Sequence, residues 1–265
     1  MKERPVLVEL EKGVARVTLN RPERRNAFNA AMVEELRQAF HTLGHNRSVR
    51  VIVLAGAGGT FCAGADLGWM APERAVPVSE AQQDAERLMA MYRTIDECSC
   101  PVIGRVQGAA YGGGLGLIAV CDMAVAAADA AFAFSEVRLG LVPAVIAPFV
   151  LEKTGQSFAR RFFLSGESFS AATARDAGLV HDVIEPAALD GRIAALTEQI
   201  GQMAPQAVRE TKLLLRRLGR LTEDEARKSC VQTNVRARCS AEAHEGIRAF
   251  RARRAPAWDD AIGEA

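Results

Sequence analysis

The sequence predicts an α/β body followed by an all-helical tail. Two predominantly apolar runs, VIVLA at 51–55 and PVIGRV at 101–106, are typical of buried parallel strands, and each leads into a glycine-rich loop and then a helix. From Ser157 onward the pattern changes to successive amphipathic helices. With 265 residues, of which 49% are hydrophobic and 25% charged, the chain has ample apolar material for a large core.

The N-terminal segment predicts a β-hairpin followed by a helix. PVLVEL and VARVTL are rich in β-branched residues, and Lys12 with Gly13 supplies the turn between them. Pro22 and a run of charged and amide side chains end the strand pattern, and a helix is predicted to begin near Asn29. Its buried face is predicted to carry Met32, Leu36, Phe40 and Leu43.

The C-terminal part of the chain predicts helices with recognisable ends. Ser170, Pro205 and Thr222 stand where N-terminal caps or first-turn residues belong, and Gly178 follows a helix end. These helices have too little chain to bury their faces among themselves, so we expect them to pack on the body or on another subunit. We therefore predict a core at 1–200 and a helical region at 201–265, which together form one continuous unit.

Composition and charge argue against several classes of protein. Lys and Arg total 33 against 32 Asp and Glu, so the net charge of +1 offers no field for nucleic acid or an anionic membrane. No apolar stretch has the roughly 20 residues of a membrane span, and the charged start lacks a signal-peptide core, so a cytoplasmic protein is expected. The six cysteines lack zinc-site spacing, and reduced, mostly buried thiols are expected. His41 and His45 have the spacing of metal-binding histidines on a helix, but no Glu lies between them and no third ligand is near, so no metal site is expected.

Two glycine-rich loops, Gly56–Asp66 and Gly108–Gly116, follow the buried strands, where open α/β sheets present their ligands. Glycine permits positive φ and leaves backbone N–H groups accessible to a ligand oxygen. One N–H group from each loop would suffice for an oxyanion hole, which stabilises developing charge on a carbonyl oxygen without a charged side chain. The alternative is that these glycines serve only tight turns and close packing.

The second loop also fits a dinucleotide-binding pattern. Gly114, Gly116 and Ala119 match G-x-G-x-x-A, and Glu136 follows at about the separation of a ribose-binding acid. That pattern ordinarily follows the first strand of its fold, whereas here it comes after nearly half of the chain. We therefore expect no nicotinamide or flavin site.

Glu136 is the strongest titratable candidate for catalysis. It is surrounded in the sequence by apolar residues, among them Phe134 and Val137, and partial burial would raise its pKa toward values useful for proton transfer. The alternative is a solvent-facing residue on an alternating strand, paired with Arg138 or Arg105. The pattern alone leaves both interpretations open.

Taken together, these segments resemble the enoyl-CoA hydratase/isomerase family, which has the crotonase fold. LNRPERRNAFNAAMVEEL resembles the family's opening segment, VIVLAGAGGTFCAGADL its first oxyanion loop, and GAAYGGGLGLIAVCDMAVAAADAAFAFSEVRLGLVP its core signature. AGLVHDVIEP and AHEGIRAFRARRAPAW resemble its tail. The likeness covers essentially the whole chain and implies a spiral of β-β-α units, a C-terminal helical trimerisation region, and trimers that commonly pair into hexamers.

The resemblance implies an acyl-CoA thioester as substrate, with coenzyme A as part of that substrate, no permanently bound cofactor and no metal. By motif position, the N–H groups of Ala65 and Gly113 would bind the thioester carbonyl, and Glu136 would transfer protons. The residues implied to line the CoA groove, the last two of them near the adenine, are Arg24, Ala27, Ala63, Asp66, Leu67, Phe250 and Arg253.

Two positions depart from the family pattern. Typical hydratases carry a further glutamate where this chain has Gly116, so Glu136 stands alone, and PAVI at 143–146 replaces a glycine-rich stretch, which should reshape the acyl pocket. A lone carboxylate favours an isomerase that removes a proton at C2 and returns it at C4. AAYGGGLGL and SEVRLGLVPAVI, however, are similar to hydratases acting on branched, glutaconyl-type CoA esters. We therefore predict an enoyl-CoA hydratase, with a Δ3-Δ2-enoyl-CoA isomerase as the alternative.

A third hypothesis is an acyl-CoA-binding or RNA-binding scaffold without turnover. LLLRRLGRL and RAFRARRAP offer basic clusters for such a role. The negligible net charge favours solvated helix faces instead, and we expect neither a nucleic-acid nor a membrane partner.

Overall fold

The computed structural model describes residues 4–70 and 76–260, which fold into two sheets surrounded by helices. The described strands are β1 Val6–Glu11, β2 Val14–Leu19, β3 Val51–Gly56, β4 Val102–Val106, β5 Ala109–Tyr111, β6 Met123–Ala127, β7 Ala131–Ala133, β8 Ser168–Ser170 and β9 Asp182–Ile184. The larger sheet has the order β1-β2-β3-β4-β6-β9, and the smaller one has the order β5-β7-β8.

Helices cover both faces of the larger sheet and continue beyond it. The described α-helices are α1 Ala30–His45, α2 Leu67–Met70, α3 Val78–Asp96, α4 Gly113–Ala119, α5 Ala147–Ser165, α6 Ala171–Asp176, α7 Leu189–Gly201, α8 Pro205–Leu218, α9 Glu223–Arg238, α10 Ala241–Ala252 and α11 Ala257–Asp260. Short 3-10 turns lie at Pro22–Arg24, Glu136–Leu139 and Pro186–Ala188. None of the helices in the described part of the chain is long and apolar enough to cross a membrane.

Successive turns of the chain contribute one strand to each sheet. β4 joins the larger sheet and β5 the smaller one before α4, and β6 and β7 repeat this order before α5. Parallel bridges from Phe28 to Ala65 and from Cys62 to Ala110 extend the smaller sheet toward the N-terminus. This repetition is the predicted spiral of β-β-α units, and it brings both glycine-rich loops to the same sheet.

The N-terminal elements form as their sequence predicts. β1 and β2 pair antiparallel up to Glu11 and Val14, and the turn residues Lys12 and Gly13 have φ of 47° and 77°. Asn29 caps α1, because its side chain accepts a hydrogen bond from the Met32 N–H. The predicted apolar face of α1 is buried.

The core lies on both faces of the larger sheet. β3 is buried along its whole length, and its residues alternate between the two faces because successive side chains of a strand point in opposite directions. Ile52 and Leu54 pack in the cluster that contains α1 and α3, whereas Val51 and Val53 pack with Leu189 of α7. This two-sided cover explains why β3 is an unbroken apolar run rather than an alternating one.

The helical tail is attached to the body by buried polar contacts of α8. Lys212 lies 2.6 Å from the Asp122 carboxylate and also donates to the Cys100 carbonyl. Arg209 donates to the carbonyls of Asn46 and Val49, which close the end of α1. The predicted helix starts at Ser170, Pro205 and Thr222 are confirmed, and Thr222 forms a complete capping box with Glu225.

Candidate active site

The two glycine-rich loops lie against each other at the extended edge of the smaller sheet. The Phe61 and Cys62 N–H groups donate to the Ala109 carbonyl, and the Tyr111 N–H donates to the Cys62 carbonyl. At Gly64, whose φ is 88°, an added Cβ would lie 3.3 Å from the Gly113 nitrogen and 2.7 Å from the Tyr111 oxygen. Only a glycine permits this close approach of the two backbones.

The residues predicted as oxyanion donors carry N–H groups that remain unbonded. The Phe28 N–H donates to the Gly64 carbonyl, and the Phe28 carbonyl accepts from the Asp66 N–H. Both backbone groups of Phe28 are therefore paired with the neighbours of Ala65, and the Ala65 N–H is not used in this bridge. Gly113 is the first residue of α4, and its N–H precedes the first bond within that helix. Neither N–H group has an acceptor among the described residues. The backbone thus offers two donors on neighbouring segments, as an oxyanion site requires.

Glu136 lies beside these two donors. It begins the 3-10 turn after β7, and its Oε1 atom is 3.0 Å from the position of a Cβ added to Gly112. Its Oε2 atom is buried and has no hydrogen-bond partner among the described residues. Burial raises the pKa of the Glu136 carboxyl above its usual value. The three residues predicted to be catalytic therefore converge on one place.

The alternative interpretation of Glu136 as a paired surface residue does not fit this geometry. Arg105 binds Asp190 instead, with 2.6 Å between the guanidinium Nε and the carboxylate. Arg138 forms no ion pair with any described residue. Glu136 is also on a 3-10 turn rather than on an alternating strand, since β7 ends at Ala133.

A cavity of about 500 Å³ opens in front of Glu136 and the two donors. Leu88 of α3, Met70 of α2 and the turn residues Leu139 and Leu141 give it an apolar wall. The segment Pro143–Ile146, predicted to reshape an acyl pocket, lines it throughout. Most of the lining residues are apolar, and a few polar side chains, Glu136 and Arg138 among them, also face the cavity, as is typical of a ligand pocket.

Comparison with known proteins identifies the family of this chain. The sequence profile of the enoyl-CoA hydratase/isomerase family matches residues 9–261. The chain belongs to the enoyl-CoA hydratase/isomerase family. The enoyl-CoA hydratase AKT6-1 of Alternaria alternata is 34% identical over 94% of this chain and 82% of its own.

Solved structures of the family share the fold of this chain. An enoyl-CoA hydratase from Shewanella pealeana superimposes with a TM-score of 0.92 and 34% identity, and the alignment covers 97% of each chain. Pseudomonas aeruginosa AtuE superimposes with a TM-score of 0.93 and 38% identity over 96% of this chain and 99% of that one. The predicted crotonase fold is confirmed.

Gly116, where typical hydratases of the family carry a further glutamate, has no room for a side chain. An added Cβ would contact Ile146 and would lie 2.9 Å from the ring of Tyr92. Gly114 is equally enclosed, against the backbone of Cys62. These glycines serve packing inside the protein, so they do not form the phosphate-binding turn of a dinucleotide site. No group of three or more potential metal ligands occurs in residues 4–70 and 76–260.

The residues predicted to line a CoA groove occupy two separate regions. Ala63 and Leu67 line the cavity itself. Asp66 forms an ion pair with Arg21, with 3.0 Å between Nη2 and Oδ2, and also accepts from the Gly68 N–H. Ala27 is buried, and Arg24 is exposed on the neighbouring 3-10 turn. Arg24 and Ala27 thus lie on the segment before α1, and Ala63, Asp66 and Leu67 lie at the end of the first loop.

Phe250 and Arg253 are at the other end of the chain, where α10 ends. Phe250 is 85% exposed, and Arg253 has a left-handed conformation with φ of 52° and closes the helix. Among the described residues that line the cavity, neither is present. Their predicted contact with the adenine remains a prediction.

Sequence reasoning missed two residues that support the first loop. Asn26 is fully buried, and its amide donates to the carbonyls of Ala57 and Thr60 while its oxygen accepts from the Arg21 N–H. Arg21 also donates to the Ala27 carbonyl. An asparagine in a turn can bond local backbone groups, but the sequence does not show that its partners lie more than thirty positions away.

Proposed function

We propose that this protein is an enoyl-CoA hydratase that adds water across the 2,3 double bond of an enoyl-CoA thioester. The observation that carries the proposal is the buried, unpartnered carboxylate oxygen of Glu136 beside the free N–H groups of Ala65 and Gly113. The names of the curated relatives and of the solved structures support hydration.

In the proposed reaction the N–H groups of Ala65 and Gly113 bind the thioester oxygen. The Glu136 carboxylate removes a proton from a water molecule while the water oxygen bonds to C3, and the electrons of the double bond move onto the thioester as an enolate. The two N–H donors stabilise the oxyanion of that enolate. Protonated Glu136 then returns its proton to C2, which regenerates the carboxylate. Its raised pKa suits a group that both accepts and donates a proton in the reaction.

We propose that the acyl substrate bears a carboxylate at its far end, as a glutaconyl-type ester does. Arg138, Ser135 and Ser168 line the cavity together, and Arg138 has no acidic partner among the described residues. An unpaired guanidinium at the edge of an apolar pocket is suited to a bidentate contact with a carboxylate. The pocket otherwise fits a branched aliphatic chain.

We also propose that Arg24, Ala27, Ala63, Asp66 and Leu67 form the groove for the CoA moiety, with Phe250 and Arg253 from the same or a neighbouring subunit at the adenine. Exposed Arg24 and Arg253 supply cations for an anionic ligand on a chain whose net charge is +1. The region 201–265 is proposed to assemble the core, residues 1–200, into a homotrimer that can pair into a hexamer. No permanently bound cofactor is required.

A panel of 2-enoyl-CoA and 3-enoyl-CoA esters, with products resolved by mass, tests the proposal. Gain of the mass of one water from a 2-enoyl ester is the expected result. Unchanged mass with a new conjugated chromophore from a 3-enoyl ester would instead establish the isomerase, to which a single carboxylate is also suited. Binding of acyl-CoA without turnover of either substrate class would indicate a scaffold.

The role of Glu136 is tested by Glu136→Gln. We expect the rate to fall by about 10²-fold to 10⁴-fold, because the variant cannot accept the proton. Glu152→Gln is the matched control, since Glu152 is an exposed residue of α5. Full activity of Glu136→Gln in both assays would disprove the assignment.

A further inference from the structure

Tyr92 forms part of the wall of the cavity, although it belongs to α3 and to neither glycine-rich loop. It is fully buried, and its hydroxyl donates a hydrogen bond of 2.7 Å to the Gly113 carbonyl. The chain has only two tyrosines, and this one bonds the residue whose N–H is proposed to bind the substrate oxygen. A buried tyrosine normally finds such a partner, so the choice of partner is the informative feature.

The hydroxyl group and a phenylalanine ring hold Gly113 from two sides. A Cβ added to Gly113 would lie 2.8 Å from the Tyr92 hydroxyl oxygen and 2.5 Å from Cζ of Phe28. The ring of Tyr92 also covers Gly116, one turn further along α4, at 2.9 Å and 3.0 Å from an added Cβ. The first turn of α4 is therefore packed against Tyr92 at both ends.

The hydroxyl group stays a donor over the working pH range. Burial raises the pKa of Tyr92 well above its usual value, and the charge of nearby Glu136 acts in the same direction. Phe149 supports the ring, with 5.8 Å between the two ring centroids. Tyr92 is thus a rigid, neutral donor directed at the backbone of the second loop.

We propose that Tyr92 is a positioning residue: its bond to the Gly113 carbonyl fixes the backbone of Gly113, so that the N–H group of the preceding peptide unit points at the thioester oxygen. The inference rests on the proposed oxyanion site, but not on which reaction follows. Loop backbone that binds charge must be held in place before the reaction, because reorientation during the reaction would forfeit part of the stabilisation. Tyr92 does not touch the reacting atoms and acts through Gly113.

Tyr92→Phe tests this role, because it removes the hydroxyl and keeps the ring that packs on Gly116. The decisive readout is the infrared stretch of a ¹³C-labelled thioester carbonyl in bound butyryl-CoA, a saturated ligand that needs no turnover. We expect a smaller shift to low frequency than in the unmodified protein. We also expect kcat to fall by about tenfold or more while KM changes by less than about twofold, since the donor is misplaced rather than the binding surface.

Two further variants keep the test interpretable. Thr94→Val is the control. It removes another hydrogen bond of α3, from the Thr94 hydroxyl to the Ala90 carbonyl, and should leave the thioester carbonyl stretch and kcat unchanged. Substitution of 3,5-difluorotyrosine at position 92 strengthens the donor and is expected to increase the carbonyl shift. This second variant keeps the hydroxyl as well as the ring, so it remains informative even where Tyr92→Phe is unstable.

The outcomes separate this inference from the proposed function. A carbonyl stretch and a kcat that are unaltered in Tyr92→Phe would overturn the positioning role, as would a loss of stability with no spectral change. A protein that polarises bound butyryl-CoA through Tyr92 but hydrates no ester would retain the positioning role and overturn only the hydratase proposal.

Discussion

Glu136, the proposed proton carrier, is in a position that costs the folded protein stability. Its Oε2 atom is buried without a hydrogen-bond partner among the described residues, and burial raises its pKa. A buried carboxylate without a partner is costly in its charged form. The structure around it is therefore more stable when Glu136 is protonated, whereas the proposed reaction needs the ionised form to accept the first proton.

Stability and activity are predicted to depend on pH in opposite directions. The pKa of Glu136 is higher in the folded chain than in the unfolded chain, so the folded chain binds more protons between these two values. Glu136 therefore contributes most to stability below its unfolded pKa, and this contribution is lost as the pH rises through its folded pKa. Activity should rise over the same window, with an apparent pKa above the usual glutamate value.

Glu136→Gln is expected to remove this pH dependence. Its melting temperature should exceed that of the unmodified protein at pH 8, and the difference should shrink as the pH falls through the pKa of Glu136. Thermal unfolding at a series of pH values measures the effect, with Glu152→Gln as the control. A constant difference across that series would show that Glu136 is not the group responsible.

Arg138 is predicted to determine which acyl chains are accepted. Arg138→Gln should raise KM for a glutaconyl-type ester by about tenfold to a hundredfold, because it removes a charged hydrogen-bonding partner. KM for a neutral enoyl-CoA of similar length should change little. Steady-state kinetics on the two esters measures the ratio, and Arg160→Gln, an exposed residue of α5, is the control. Equal effects on both esters would contradict a role in binding the distal carboxylate.

At the scale of elements, α4 is constrained by close packing along its first turns. Gly116→Ala should destabilise the protein by about 1–3 kcal/mol, because the added methyl group would overlap Ile146 and the ring of Tyr92. Gly191→Ala in α7, where nothing lies within 4 Å of the added Cβ, should instead stabilise it by about 0.5–1 kcal/mol. Urea unfolding of both variants checks the contrast, and equal stability of the two would refute it.

The attachment of α8 to the body depends on the Lys212–Asp122 pair. Lys212→Met should destabilise the protein by about 3 kcal/mol, the low end for a broken buried pair, because the Asp122 side chain remains 30% exposed. Adding Asp122→Asn should recover much of this loss, because the unpaired charge disappears while an acceptor for the Val102 N–H remains. Denaturant titrations of the single and double variants measure the coupling. Additive losses would show that the two side chains do not interact.

At the scale of the whole molecule, the helical tail presents apolar side chains that the single chain leaves uncovered. Val231 and Val235, one turn apart on α9, are 59% and 55% exposed, and Phe250 of α10 is 85% exposed. Within α9, Thr233 is the one buried residue that the structure describes. Exposed apolar side chains on such a helical tail are typical of a subunit interface.

Disruption of this surface is predicted to dissociate the assembly. Light scattering should give the unmodified protein a mass near three or six times that of the 28.5 kDa chain. The double variant Val231→Asp with Val235→Asp should shift this mass to that of one chain, because two charges would be buried in the interface. Gln232→Asp with Asn234→Asp adds the same charge to other exposed positions of α9 and should preserve the assembly. A monomeric unmodified protein would contradict the prediction.

Much of this organisation follows from neighbouring residues, and the sequence predicts it well. The turn at Lys12 and Gly13, the cap at Asn29 and the buried β3 depend on local conformational preference and on hydrophobic pattern. The two glycine-rich loops likewise indicate backbone donors, and the family resemblance implies, by motif position, that Ala65 and Gly113 carry them. Such features need no information about residues elsewhere in the chain.

Other features depend on contacts that no local pattern reveals. Among the described residues, the lack of a partner for Glu136 Oε2, the lack of an acidic partner for Arg138 and the bond from Tyr92 to Gly113 each depend on which distant segments meet. Gly116 is necessary for the same reason, because Tyr92 and Ile146 fill the space beside it. The sequence thus specifies the elements and the two donor loops, while only the packing of α3 and the Glu136 turn around them decides the environment of the carboxylate. Burial and hydrogen-bond pairing are properties of the assembled chain, not of its segments.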